Sequence, residues 1–149
     1  MRAKILNASA GSGKTYQLAY KYVRDVIDHP HLYRHILAVT FTNKATEEMK
    51  SRILKEIHTL ASGAPSSYLS QLCDELRLDE RSVRKRAAEV RSKILHDYSR
   101  FTVLTIDTFF QRILRAFIKE LGLDLNYNVE IETASVLSKS ADTLIDEIA

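Results

Sequence analysis

The spacing of apolar residues along this 149-residue chain predicts mainly helices, with three short strands among them. Residues 3–8 and 102–106 have short apolar patterns of strand type. Residues 36–41 are almost continuously apolar and β-branched, which is typical of a strand buried on both faces of a parallel sheet. A helix is predicted after each strand, so the order indicates an α/β fold with a short parallel sheet flanked by helices.

The first helix is predicted from Lys14 to Asp28, and the second from Asn43, whose side chain we expect to cap it. Residues 62–67 form the clearest loop, and two further helices are expected at about 68–76 and 80–98. The apolar face of the second helix comprises Ala45, Met49, Ile53, Ile57 and Leu60. The longer of the two later helices buries Val83, Ala87, Val90 and Ile94 and presents Arg84, Lys85, Arg91 and Lys93 outward.

The helix after the third strand begins at Asp107 or Thr108 and extends to Leu121. Its apolar residues are expected to join the core: Phe109, Phe110, Ile113, Leu114 and Phe117. Residues 134–149 are helical by pattern, so the acidic pair Asp146 and Glu147 has helical spacing and does not end a buried strand. Because the sheet is thin and the last helix has no capping residues, we expect the chain to be part of a longer protein.

Composition and net charge exclude only a few classes of protein. With 45% hydrophobic and 28% charged residues, the chain is typical of soluble globular proteins. A net charge of +3 permits an acidic partner without requiring one. The single cysteine, Cys73, excludes an internal disulfide, and no apolar run could cross a bilayer, so we predict a cytoplasmic protein without a membrane partner. The histidines near Pro30 do not have the spacing of a common metal site.

A phosphate-binding P-loop motif lies between the first predicted strand and helix. It comprises Ala8, Ser9, Ala10, Gly11, Ser12, Gly13, Lys14 and Thr15. Small residues allow successive backbone N–H groups to face phosphate oxygens, and the helix that follows contributes its dipole. Lys14 would reach the β- and γ-phosphates of ATP, and the Thr15 hydroxyl would ligate Mg²⁺, so both are candidate catalytic residues. Ala8 replaces the consensus glycine.

Three blocks of sequence together carry a family resemblance. They are residues 7–15, residues 38–49 with Arg52, and residues 105–112. In order and approximate spacing they resemble superfamily 1 DNA helicases, and most closely the RecB/AddA-type helicase–nuclease subunits. The resemblance extends over essentially the whole chain. It implies a partial RecA-like P-loop NTPase domain that uses ATP and Mg²⁺.

The resemblance also implies which residues bind ligands. Tyr16, directly after the P-loop, is expected near the base of the nucleotide. In the third block Thr108 and Arg112 are expected to contact DNA, although Asp107 stands where the family commonly has histidine. The implied DNA contacts of the second block are Thr40, Phe41, Thr42, Asn43 and Lys44.

For two of these residues the amino-acid type allows a second interpretation. The Phe41 ring is suited to stacking on a base, but Phe41 could equally be a core aromatic. Asn43 could contact DNA or only cap a helix. The basic stretch between Arg81 and Arg100 is either a DNA-binding surface or a solvated helix face.

The resemblance predicts residues 1–123 to be the N-terminal part of a helicase motor domain and residues 124–149 to begin an inserted helical subdomain. Expected partners are single-stranded or duplex DNA, the remaining domains of the parent chain, and another component of a helicase–nuclease complex. The chain alone is expected to be inactive. The competing hypotheses are a small nucleotide or metabolite kinase and a non-catalytic nucleotide-binding module.

Overall fold

The computed structural model describes residues 13–120 of the chain. The first predicted strand, P-loop residues 8–12 and the helix predicted over 134–149 lie outside the described residues. The elements in chain order are α1 (Lys14–Asp28), β1 (Ala38–Thr40), α2 (Asn43–Ala61), α3 (Leu69–Leu76), α4 (Glu80–His96), β2 (Val103–Thr105) and α5 (Ile106–Glu120), with short 3-10 turns at Leu32–Arg34 and Tyr98–Arg100.

The helices occupy the predicted positions, whereas the strands are shorter than the apolar pattern indicates. β1 and β2 pair in parallel, with Ala38 opposite Val103 and Thr40 opposite Thr105. β2 is buried along its length, but Val39 of β1 is 38% exposed. The prediction that this strand is buried on both faces was therefore wrong, because an apolar run is buried only where a second layer covers the strand.

A core of helices packs against this pair of strands, and within it α2 and α4 have the most extensive contact. The buried face of α4 is confirmed residue by residue, because a 3.6-residue period leaves only one apolar stripe on this charged helix. On α2, Thr46 is buried, while Ala45 is only half-buried. The buried helix residues are Ala19, Tyr20, Tyr22, Val23, Val26, Ile27, Thr46, Met49, Ile53, Ile57, Leu60, Leu72, Val83, Ala87, Val90 and Ile94.

Two arginines of α4 bind the carboxyl ends of neighbouring helices. The Arg84 guanidinium donates to the carbonyls of Leu60 and Ala64, at 3.2 Å each, where α2 ends. Arg86 donates to the carbonyls of Ile27 and Asp28, at 3.3 and 2.9 Å, where α1 ends. Terminal helix carbonyls lack intrahelical partners and carry partial negative charge. An arginine there donates hydrogen bonds to the carbonyls and also compensates the charge.

The outward placement predicted for Arg84 was therefore wrong: only 20% of its side chain is exposed. Periodicity places this residue beside the apolar stripe, and it cannot show that the carbonyls at the end of α2 lie within reach. The basic stretch of α4 thus serves in part to hold the helices together.

Replacing Arg84 by methionine should lower the free energy of unfolding by about 1–3 kcal/mol, because two carbonyls at the end of α2 lose a charged donor. Urea denaturation followed by circular dichroism measures the change. Arg81→Met is the matched control, since Arg81 is exposed on the same helix and should change stability by less than about 0.5 kcal/mol. Equal effects of the two substitutions would contradict the assigned role.

The chain divides into two compact units, Met1–Phe110 and Gln111–Ala149, and α5 spans the boundary between them. No residue of α5 is buried, and Phe110 and Phe117 are 60% and 58% exposed. The prediction that the apolar residues of this helix join the core was wrong. An amphipathic pattern identifies the apolar face of a helix but not whether a neighbour covers it. Within residues 13–120 no helix combines the length and apolar character of a membrane span.

Candidate functional site

Gly13 sets the start of α1 and has a backbone conformation that favours glycine. Its φ of 74° and ψ of 19° lie in the left-handed region, which other residues adopt only with strain. Its carbonyl accepts the N–H of Gln17 at 2.9 Å and so begins the helical hydrogen-bonding pattern. Because glycine has no side chain to cap the helix, the N-terminal turn of α1 is well suited to receive an anion.

Lys14 and Thr15 occupy the first turn of this helix. Lys14 is exposed and Thr15 is half-buried. A turn led by a left-handed glycine, followed by an exposed lysine and a threonine hydroxyl, fits the phosphates and Mg²⁺ of a nucleotide. These residues bring together the donor types that the sequence motif predicts, while residues 8–12 of the motif lie outside the described structure.

Tyr16 belongs to a cluster of three tyrosines that ties the loop before α3 to the first turns of α1. The Tyr68 ring meets the rings of Tyr16 and Tyr20 edge-on, with centroid distances of 5.0 and 5.2 Å. The Tyr68 hydroxyl donates to the carbonyl of Tyr16 at 3.3 Å, and the Tyr16 hydroxyl donates to Ser67 Oγ at 3.3 Å. Burial, reinforced by the Glu56 carboxylate, raises the pKa of Tyr68 to about 12, so its hydroxyl remains a donor at neutral pH.

The second cluster of predicted residues lies where β1 ends and α2 begins. Thr42 is the residue that caps α2: its Oγ1 accepts the N–H of Ala45 at 3.1 Å. Asn43 is the first helical residue, so the expectation that Asn43 caps the helix was wrong. The side chain of the residue just before the helix is the one placed to reach the N–H three positions on, and the sequence offered two suitable residues in succession.

Threonine hydroxyls hold the backbone of this turn from within. Thr40 Oγ1 is 2.5 Å from Thr46 Oγ1 and 3.2 Å from the carbonyl oxygen of Thr42. The buried Thr46 also donates its hydroxyl to that carbonyl, at 3.1 Å. The oxygens of Thr40 and Thr42 thus maintain the turn. The sequence pattern did not identify Thr46 as part of this turn. Only its residue type, a threonine with a hydroxyl near the turn, could have indicated this role.

Phe41, between these two threonines, is 84% exposed. Side chains alternate between the two sides of extended backbone, so Phe41 faces the opposite way from Thr40 and Thr42, whose hydroxyls bond within the turn. The alternative that Phe41 is a core aromatic is wrong. Asn43 and Lys44 are also exposed, and together the three residues present an aromatic ring, an amide and a cation on one turn.

The junction between β2 and α5 repeats this arrangement. The buried Thr105 accepts the N–H of Thr108 on Oγ1 at 3.2 Å, and the two hydroxyl oxygens are 2.9 Å apart. Because Thr40 and Thr105 are in register, both junctions lie at the carboxyl edge of the sheet, where parallel α/β proteins bind ligands. The Thr108 hydroxyl is therefore engaged in the junction. Arg112 is exposed on α5, in the second compact unit.

The histidines near Pro30 have a local arrangement of their own. His29 Nδ1 is 3.3 Å from a carboxylate oxygen of Asp28, and the rings of His29 and His31 meet edge-on at 6.0 Å. Across residues 13–120, no three histidine, cysteine, aspartate or glutamate side chains come close enough together to bind a metal ion.

In this structure α1 begins at Gly13 of the P-loop motif, and the two parallel strands each end at a junction held by threonine hydroxyls. The chain belongs to the family of UvrD/REP helicase N-terminal domains, whose family model matches residues 2–148. The resemblance stated from the three sequence blocks is confirmed.

Particular relatives are RecBCD enzyme subunits and a subunit named as an ATP-dependent helicase/nuclease. The chain is 29% identical to RecBCD enzyme subunit RecB of Haemophilus influenzae, over 93% of this chain and 13% of the relative. It is 30% identical to RecB of Escherichia coli K12, over 93% of this chain and 12% of that protein. It is 31% identical to an ATP-dependent helicase/nuclease subunit of Clostridium novyi, over 91% of this chain and 9% of that protein. The chain therefore spans about a tenth of the length of these relatives, and no solved structure matches it significantly.

Proposed function

We propose that the chain is the ATP-binding N-terminal part of an ATP-dependent DNA helicase, a helicase–nuclease that acts in DNA repair and recombination. Its described elements would then form part of a RecA-like P-loop NTPase domain. Family membership supports the class, and the relatives named above support the helicase–nuclease branch. The structural observation that carries the DNA-binding role is the exposed Phe41 beside Lys44 at the carboxyl edge of the sheet.

In this proposal the first turn of α1 holds the phosphates. Gly13 allows the close approach, Lys14 binds the terminal phosphates, and the Thr15 hydroxyl ligates Mg²⁺. When bound, Mg²⁺ neutralises charge on the β- and γ-phosphates. Hydrolysis also needs an acidic pair on a strand and arginines, whereas Asp146 and Glu147 have helical spacing in the sequence. We therefore expect the chain by itself to bind ATP without hydrolysing it.

The turn between β1 and α2 would contact single-stranded DNA. A phenylalanine with most of its ring exposed gives a base a flat surface on which to stack. Lys44, three residues further along, can bind a phosphate of the same strand, and Asn43 can donate a hydrogen bond. Because hydrogen bonds within the turn already position Phe41, little conformational entropy is lost when a base stacks on it.

The test is binding of a fluorescein-labelled oligothymidylate to the 149-residue chain, measured by fluorescence anisotropy at several salt concentrations. Phe41→Ala should weaken binding about tenfold, because one base loses its stacking partner. Lys44→Ala should weaken binding and also reduce the slope of log K against log salt by about 0.7, the value for one phosphate contact on a single strand.

Two matched controls locate the DNA-binding surface. Phe117→Ala removes another exposed aromatic, from α5, and Lys85→Ala removes an exposed cation from α4. Neither should change affinity by more than about twofold, since neither residue belongs to the turn that would bind the strand. Loss of binding on Lys85→Ala with full binding by Phe41→Ala would instead assign DNA to the basic stretch of α4 and contradict the proposal.

A further inference from the structure

A cavity of about 820 Å³ lies between α1 and α3 and begins beside the first turn of α1. Tyr16 and Gln17 form its near end, directly after Lys14 and Thr15. From Tyr16 to Arg24 the cavity follows α1 for about 12 Å, at about 1.5 Å per residue. A cavity of this size and length accommodates a small ligand such as a nucleoside. We call it the α1–α3 cavity.

One wall of the α1–α3 cavity is an aromatic ring held in place. The Tyr16 side chain is 38% exposed, so part of the ring remains accessible. Its hydroxyl is bound to Ser67, and its ring rests against the fully buried Tyr68. Because the hydrogen bond to Ser67 and the contact with Tyr68 both hold the Tyr16 ring, it offers a flat surface to a heteroaromatic ligand at small entropic cost.

The opposite wall, on α3, is polar. Gln71 is exposed, and its Nε2 donates to Glu75 Oε1 at 2.8 Å. Glu75 Oε2 is 3.2 Å from Arg24 Nε on α1, so the carboxylate and the amide are both oriented. The Gln71 amide still has an acceptor oxygen and a second N–H, which is the pair of groups that binds the edge of adenine.

Tyr20, deeper in the cavity wall, places its hydroxyl near the Glu75 carboxylate. The residue is only 8% exposed, so the hydroxyl is largely shielded from solvent. Burial together with the neighbouring Glu75 raises the pKa of Tyr20. Tyr20 and Glu75 therefore add polar groups to the wall between Tyr16 and Gln71.

We propose that the α1–α3 cavity binds the nucleoside part of an adenine nucleotide, with the base stacked on Tyr16 and its edge bound by Gln71. This inference rests on the proposed function, because the first turn of α1 must hold the phosphates of the same molecule. It adds α3 to the nucleotide site and makes Gln71 a residue that determines base specificity.

The test compares MgATP with magnesium tripolyphosphate, which has the same phosphates and no nucleoside, by isothermal titration calorimetry on the 149-residue chain. The chain should bind ATP more tightly than tripolyphosphate. Gln71→Ala should weaken ATP binding about fivefold, and Tyr16→Leu about tenfold, while both variants bind tripolyphosphate as the unmodified chain does. Gln111→Ala, an exposed glutamine on α5, is the matched control and should change neither affinity.

The outcomes separate this inference from the function on which it rests. Equal affinities for ATP and tripolyphosphate, or unchanged ATP binding by both Gln71→Ala and Tyr16→Leu, would overturn the cavity assignment and leave the phosphate site intact. Binding of neither compound would overturn the proposed function and the cavity assignment together. Circular dichroism of each variant confirms that the helices are retained.

Discussion

Replacing Lys14 by alanine is expected to weaken binding of MgATP to this chain about a hundredfold. Hydrogen bonds to charged groups contribute about 1.5–3 kcal/mol, and the phosphate site of a P-loop has one lysine to supply them. The upper end of that range corresponds to about a hundredfold change in the dissociation constant. Isothermal titration calorimetry with MgATP measures it directly.

The control for this experiment is Lys85→Ala, which removes another exposed lysine, from α4, and should leave ATP affinity unchanged. Circular dichroism of the Lys14→Ala variant checks that its helices are retained. Undiminished ATP binding by Lys14→Ala would show that the first turn of α1 is not the phosphate site, and the nucleotide-binding proposal would fail.

Replacing Tyr68 by alanine is expected to lower the free energy of unfolding by about 3–5 kcal/mol. The side chain is fully buried, contacts two aromatic rings on α1 and donates to the carbonyl of Tyr16. Its removal leaves a cavity and detaches the loop before α3 from α1. Urea denaturation of the purified chain gives the free energy, and the slope should stay constant if only the native state is affected.

Two further substitutions separate the contributions of the Tyr68 ring and hydroxyl. Tyr68→Phe keeps the ring and should cost only about 1 kcal/mol, the contribution of one hydrogen bond. Tyr98→Ala removes a tyrosine that is 49% exposed and should also cost about 1 kcal/mol or less. A loss on Tyr68→Ala no larger than on Tyr98→Ala would refute the view that Tyr68 anchors α3 to α1.

The helices were predictable because periodicity acts locally. On α4, Val83, Ala87, Val90 and Ile94 recur at helical spacing among charges, so the sequence alone identifies both the helix and its buried face. The partners of that face are not local. The pattern therefore could not show that Arg84 binds carbonyls at the end of α2, which belong to residues 24 and 20 positions earlier in the chain.

Burial was harder to predict than helix position, above all for side chains that carry both apolar and polar groups. Tyr33 and Tyr68 are among the most buried side chains, yet the hydroxyl of tyrosine makes its burial depend on whether a partner lies nearby in the fold. Phe110 shows the opposite case: an apolar residue at helical spacing that is largely exposed. In both cases the deciding information is the neighbour, which lies far away in the sequence.

For the candidate site, the sequence predicts the segments, and their ligands stay a prediction. The structure places Gly13 at the start of α1 and leaves Phe41 and Lys44 exposed. The threonines differ, since Thr40, Thr42 and Thr108 were grouped with DNA-binding residues, and their hydroxyls form hydrogen bonds within the two junctions. Residue type allows either role, and only the position of the following helix decides between them.

The turn around Phe41 separates the residues that hold its shape from the residue that it exposes. The turn keeps its shape through Thr40, Thr42 and Thr46, while the Phe41 ring is 84% exposed and adds almost nothing to the core. Under the proposed function, a mutation at position 41 would change the affinity for single-stranded DNA with little penalty in folding, whereas a mutation of a flanking threonine would destabilise the turn itself. The proposal thus makes the affinity for a nucleic-acid strand adjustable through a single position.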